Sequence, residues 1–168
     1  MYVSFCVCAG AAIAGDTVTT DFSNGAEGWT GPFGPGGATQ ILSEGGNDGA
    51  YMNTVFNNFG ITYKNSTNNA FLGDYTTAGE ITLSMDIRVD YLNFFGQDVS
   101  RPWLVELRDF DGATNGYPYN SVWFLFDNIS QAENSEWSTY SVTFDPNAID
   151  IPSGWAGYGA EDPNTFEP

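Results

Sequence analysis

The stretch Glu106-Leu107-Arg108-Asp109-Phe110-Asp111 concentrates the chain's most suggestive acidic chemistry. A glycosidase needs a pair of carboxylates about 5–10 Å apart, one to give a proton and one to attack or activate water. In an extended segment Glu106 and Arg108 share one face, with Asp109 and Asp111 at its end. That pattern does not line several carboxylates along one cleft wall. With 21 acidic side chains in the chain, a solvated acidic face is the preferred reading. A polysaccharide hydrolase or lyase using a carboxylate pair is the alternative. Asp109-x-Asp111-Gly112 with Asn115 also opens like a calcium loop, but the bidentate glutamate of such a loop is replaced by Asn120. Next to it, Tyr117-Pro118-Tyr119 lies between Asn115 and Asn120. Aromatic faces beside amides can stack on sugar rings and bond their hydroxyls. Tyr117, Tyr119, Asn115 and Trp123 are therefore the candidate ligand-binding residues, with a polysaccharide or glycan as ligand. Trp29, Trp103 and Trp137 are assigned to core packing.

Other chemistries are closed. The chain has no histidine, which excludes Ser-His-Asp and Cys-His catalysis and any zinc site that needs imidazole. A formal charge of −17 with only 4 basic side chains argues against nucleic acid, whose phosphates are bound by Lys and Arg. It also disfavours anionic membranes. A carboxylate-rich surface holds water well and suits a saline environment. Met1 to Ala14 is small and apolar, holds Cys6 and Cys8, and ends in Ala12-Ile13-Ala14 before Gly15. This is the pattern of a signal peptide, too short to span a bilayer. A first buried strand is the other reading of the segment. Cleavage at Ala14–Gly15 leaves an exported chain, secreted or at the cell surface, without cysteine. No further apolar run is long enough for a membrane span.

The elements that position these residues are strands. From Glu80 to Tyr91, Ile81, Leu83, Met85, Ile87 and Val89 alternate with Thr82, Ser84, Asp86, Arg88 and Asp90. Such alternation puts one face on a core and the other in water. Trp103, Val105 and Leu107 repeat it opposite Glu106 and Arg108. Ser121–Asp127 is apolar on both faces, with Trp123 opposite Val122, Phe124 and Phe126. Trp137–Phe144 is β-branched and aromatic and stops at Asp145-Pro146. Weaker strands are expected at Thr17–Phe22, Thr39–Ser43, Ala50–Phe56 and Gly60–Tyr63. Glycine- and asparagine-rich turns separate them, and no window has sustained helical periodicity. Residues 15–168 thus form one domain, an all-β antiparallel β-sandwich of jelly-roll type.

Three motifs carry a resemblance. Phe22-Ser23-Asn24-Gly25-Ala26-Glu27-Gly28-Trp29 resembles the opening of secreted jelly-roll modules. Ala70-Phe71-Leu72-Gly73-Asp74 followed by Gly79-Glu80-Ile81-Thr82-Leu83-Ser84 is similar to the centre of laminin B domains (domain IV). Trp137-Ser138-Thr139-Tyr140-Ser141-Val142 resembles a strand of the same group and of carbohydrate-binding jelly rolls. Together they run from about residue 20 to 145. Glu80 departs from the family's glycine at that position. The resemblance implies a galactose-binding-like jelly roll that lacks its last strand here, in an exported protein of bacterial type. It implies a structural calcium, for which Asp21, Glu27 and Asp145 are the candidate ligands. Together with the export pattern, the absence of histidine and of mature cysteine and the period-two strands, it points to a non-catalytic role, either carbohydrate recognition or adhesion to an extracellular matrix or cell-surface protein.

Overall fold

The computed structural model describes residues 2–6, 17–56, 61–111 and 118–158, the first five by their backbone. In chain order the strands are β1 (Tyr2–Cys6), β2 (Trp29–Thr30), β3 (Gly37–Gly46), β4 (Gly49–Phe56), β5 (Lys64–Asn65) and β6 (Ile81–Tyr91). They continue as β7 (Asn93–Phe94), β8 (Gln97–Asp98), β9 (Arg101–Asp109), β10 (Asn120–Ile129), β11 (Ser138–Phe144) and β12 (Trp155–Tyr158). Among the described residues the α-helix is a single turn, α1 (Gln131–Asn134), capped by the Ser130 hydroxyl.

All paired strands are antiparallel. A five-stranded sheet has the order β11-β6-β1-β4-β3, and a three-stranded sheet has the order β12-β10-β9. β2 pairs with β5, and β7 with β8, as short ribbons. The alternation along β6 sends Ile81, Leu83, Met85, Ile87 and Val89 to the interior, where all are buried. Met52, Phe56, Ile87 and Val89 of the large sheet share one core cluster with Ile129 of the small sheet, and Trp103, Val105 and Phe126 pack against it. Ile81, Leu83, Val142 and Phe144 form a second cluster with Val122 and Trp155. Each fully buried aliphatic or Phe side chain in such a layer is worth about 1.5–3 kcal/mol. The result is an all-β sandwich, in agreement with the strand pattern.

Three expectations need correction. Thr17–Phe22 forms no strand: the Asp21 carboxylate accepts the Ser23 N–H at 2.9 Å and starts a turn, with Phe22 at φ +58°. This local bond competes with ladder pairing. Of the expected strand at 60–63, residues 61–63 are in no strand, and Lys64–Asn65 pairs with β2 instead. The glycine-rich segment at Trp155 was not expected as a strand, yet it forms β12, and the buried Trp155 ring packs between Phe124 and Phe144. Gly154 makes this possible: it adopts φ +87°, and a Cβ there would meet the Phe124 ring at 2.8 Å.

Tyr2–Cys6, in the expected leader, is the middle strand of the large sheet, between β4 and β6. Residues 7–16, with Cys8 and the Ala14–Gly15 bond, lie outside the described residues. Among the described residues no helix is long and apolar enough to cross a membrane.

Candidate functional site

Each sheet also has an outward face. On the small sheet, the positions of β9 that alternate with the core are Leu104, Glu106 and Arg108, followed by Phe110. On β10 they are Ser121, Trp123 and Leu125. The register pairs Trp123 with Glu106, Leu125 with Leu104, and Ser121 with Arg108. On its other side Trp123 pairs with Ala156 of β12, whose methyl group is too small to cover an indole. Leu104 is 42% exposed, Leu125 48% and Phe110 66%. Arg108 Nη2 donates to Glu106 Oε2 at 2.6 Å, and its guanidinium lies 4.4 Å from the centre of the Tyr119 ring. The Glu106 carboxylate beside it raises the Arg108 pKa. Tyr119 in turn meets Phe110 edge-on at 5.6 Å. A half-buried indole, a leucine pair and an oriented carboxylate–guanidinium pair thus share one open surface.

The outward face of the large sheet is built differently. Asp86 is 7% exposed and accepts hydrogen bonds from Asn47 Nδ2 at 2.7 Å and from Thr139 Oγ1 at 2.6 Å. Arg88 donates through Nε to Asp90 at 2.8 Å and through Nη1 to the Gly45 carbonyl at 3.2 Å. Its guanidinium lies over the rings of Trp137 and Tyr51, at 5.1 and 5.8 Å from their centres. Trp137 Nε1 donates to the same Gly45 carbonyl at 3.3 Å. Gly45 and Asn47 sit at the tip of the β3–β4 hairpin. These bonds hold the tip against the sheet and engage the Asp86 carboxylate, the Arg88 guanidinium and the Trp137 indole N–H.

The structure brings Tyr119 and Trp123 to one surface, as the sequence reading grouped them. Asn115 and Tyr117 lie outside the described residues. Trp29 and Trp103 pack against the core as assigned, but Trp137 does not: it faces outward on the large sheet, because the Arg88 cation and the Gly45 carbonyl hold its ring there. The carboxylates assigned to calcium each serve their own turn. Asp21 accepts from the Ser23 hydroxyl and then from the Ser23 N–H, which lowers its pKa; Glu27 accepts the Asn24 N–H at 3.2 Å; Asp145 accepts the Asn147 N–H at 2.8 Å. Asp21 also lines a shallow groove of about 470 Å³ with Ser23, Ser43 and Asp48, whereas Glu27 and Asp145 do not. Among the described residues no three Asp, Glu, Cys or His side chains form a group that could hold a metal ion.

Leu104, Leu125 and Phe110 were missed as site residues, although Leu104 has the same strand parity as Glu106 and Arg108 and could have been found from it. The Asp86–Asn47 contact has no sequence signal, since it joins residues 39 positions apart through a hairpin tip. No protein-family model, curated protein or solved structure matches this chain.

Proposed function

We propose that this chain is a non-catalytic, exported module that binds polysaccharide or glycan on the outward face of its small sheet. The observation that carries the reading is the position of Trp123, half-buried on this face and in register with Ala156 on one side and Glu106 on the other. A pyranose ring stacks its C–H face on such an indole, while the Glu106–Arg108 pair accepts from and donates to the sugar hydroxyls. The Tyr119 ring, 4.4 Å from the Arg108 guanidinium, helps to hold it in place. Glu106 is committed to Arg108 by a 2.6 Å bond, which favours recognition over proton transfer. Glu106→Gln checks the hydrolase alternative: reducing sugar released by the native chain and abolished by this change would make it an enzyme.

The exposure of Leu104, Leu125 and Phe110 favours a second reading, adhesion to an extracellular matrix or cell-surface protein, since contiguous apolar surface marks protein contacts. Retention on a panel of insoluble polysaccharides tests the two. Under the first reading Tyr119→Ala weakens retention while the melting temperature stays within about 2 °C, because Tyr119 is only half-buried. Failure of every polysaccharide to retain the native chain would contradict glycan binding and leave adhesion.

A further inference from the structure

We infer that the chain pairs with a second copy of itself along the free edge of β3, joining the two large sheets into one. Three observations meet at this edge. Among the described residues β3 is bonded only on its β4 side, so alternate residues turn their N–H and C=O groups away from the sheet. The edge also lacks the usual protection, since β3 contains no lysine, arginine or proline. From Gly28 to Ser43 the chain carries no charged residue, although it holds 21 acidic side chains in all. Beside this neutral edge, Phe33 is 86% exposed, and the shallow groove with Ile41, Ser43, Asp48 and Ala50 in its lining runs along the same hairpin.

Charge selects a second copy as the partner. A net charge of −17 opposes the approach of two such chains except where both surfaces are neutral. An antiparallel pair with its dyad at Gln40 sets Ala38 against Leu42 of the second copy, and Thr39 against Ile41 of the second copy. Each side chain then keeps the face it has in one chain, with Ala38 and Gln40 outward and Thr39 and Ile41 toward the core. Glu44, the only charge in the strand, falls opposite Gly36 of the second copy and meets no like charge. The other edges do not offer this. Self-pairing of β11 about Ser141 would set Glu136 beside Asp145 of the second copy. β9 carries Pro102, which has no N–H for a ladder, and β12 spans only Trp155–Tyr158. The dyad at Gln40 also carries Phe33 of each copy toward the hairpin tip of the other, at the level of the groove. There its ring covers Ile41 and Ala50 and turns its positive edge to the Asp48 carboxylate. The contact is the same in both directions, so it closes as a dimer and does not grow into a fibre. Trp123 lies on the other sheet, and the inference does not rest on glycan binding.

Sedimentation equilibrium of the full chain, from micromolar to millimolar concentration, tests it. A monomer–dimer equilibrium is expected, and it should tighten in about 1 M salt, where the Debye length falls to about 3 Å. Gln40→Lys puts two ammonium groups at the dyad and should weaken the dimer about tenfold or more. Gln40 is exposed, so the melting temperature of the dilute monomer should not change. Phe33→Ser should weaken the dimer severalfold, and Ser141→Lys, on the β11 edge, should leave it intact. A chain that stays monomeric over the whole range in high salt overturns the inference. So does a dimer that survives Gln40→Lys or that Ser141→Lys breaks.

Discussion

The two outward faces of the sandwich use the same residue types for opposite ends. Each carries an arginine, a carboxylate, a tyrosine and a tryptophan. On the large sheet, Arg88 is shared between Asp90, the Gly45 carbonyl and two rings, and Asp86 is buried under Asn47 and Thr139. On the small sheet, Arg108 has Glu106 and one ring, and the tryptophan stands free of it. The difference lies in what covers the sheet: the β3–β4 hairpin tip folds onto one face, and no described hairpin folds onto the other. An aromatic–charge cluster is therefore a ligand candidate only when its hydrogen bonds are not already spent on the protein itself.

The largest effect should come from breaking the covered face. Asp86→Ala removes the acceptor for two donors and leaves Asn47 and Thr139 unpaired. A loss of about 3 kcal/mol follows, a fall of roughly 6–12 °C in melting temperature. Polysaccharide retention below that temperature should not change; a fall in retention would place a ligand on this face.

The interior between the faces gives the next effect. Burial raises the pKa of Tyr63 and, less strongly, of Tyr75, whose hydroxyl donates to the Phe71 carbonyl at 2.9 Å. Both stay neutral in the fold while the unfolded chain ionises them near pH 10. Their contribution is intact below pH 10 and declines as pH rises above it. The tyrosinate absorbance of these two rings should therefore rise only together with loss of near-ultraviolet circular dichroism; their ionisation without unfolding would contradict their burial.

A smaller gain is expected at the β7–β8 turn, where Phe95 is 90% exposed and held at φ +49°. Phe95→Gly relieves that strain at the cost of added chain entropy, a net gain of about 0.5–1 kcal/mol in urea unfolding. The least effect on stability comes from Glu106→Gln on the open face, under about 1 kcal/mol, because the pair it weakens is partly solvated. Retention should nevertheless fall severalfold, so that stability and binding separate on this face as they do not on the other.

Much of the fold was legible because its strands are amphipathic. β6, β9 and β11 alternate strictly enough that Ile87, Trp103 and Val142 declare their inward side. Trp123 followed from strand parity, and Tyr119 from its place in a polar loop beside Asn120. What stayed hidden depends on contacts between distant residues. Trp137 begins a strand that reads as core, and only the arrival of Gly45 and Arg88 turns its ring outward. The turn at Asp21–Ser23 won over a strand through one side-chain bond. β12 is masked by its glycines, since nothing local tells that Phe124 and Phe144 wait to receive Trp155.

The most direct measurement compares the two tryptophans. Trp123→Ala and Trp137→Ala are titrated with a polysaccharide that retains the native chain, at a temperature where both variants are folded. Glycan recognition on the open face requires affinity to fall about 10–30-fold for Trp123→Ala, roughly 1.4–2 kcal/mol, and to stay within about twofold for Trp137→Ala. Unchanged affinity in Trp123→Ala, or a larger loss in Trp137→Ala, would contradict it.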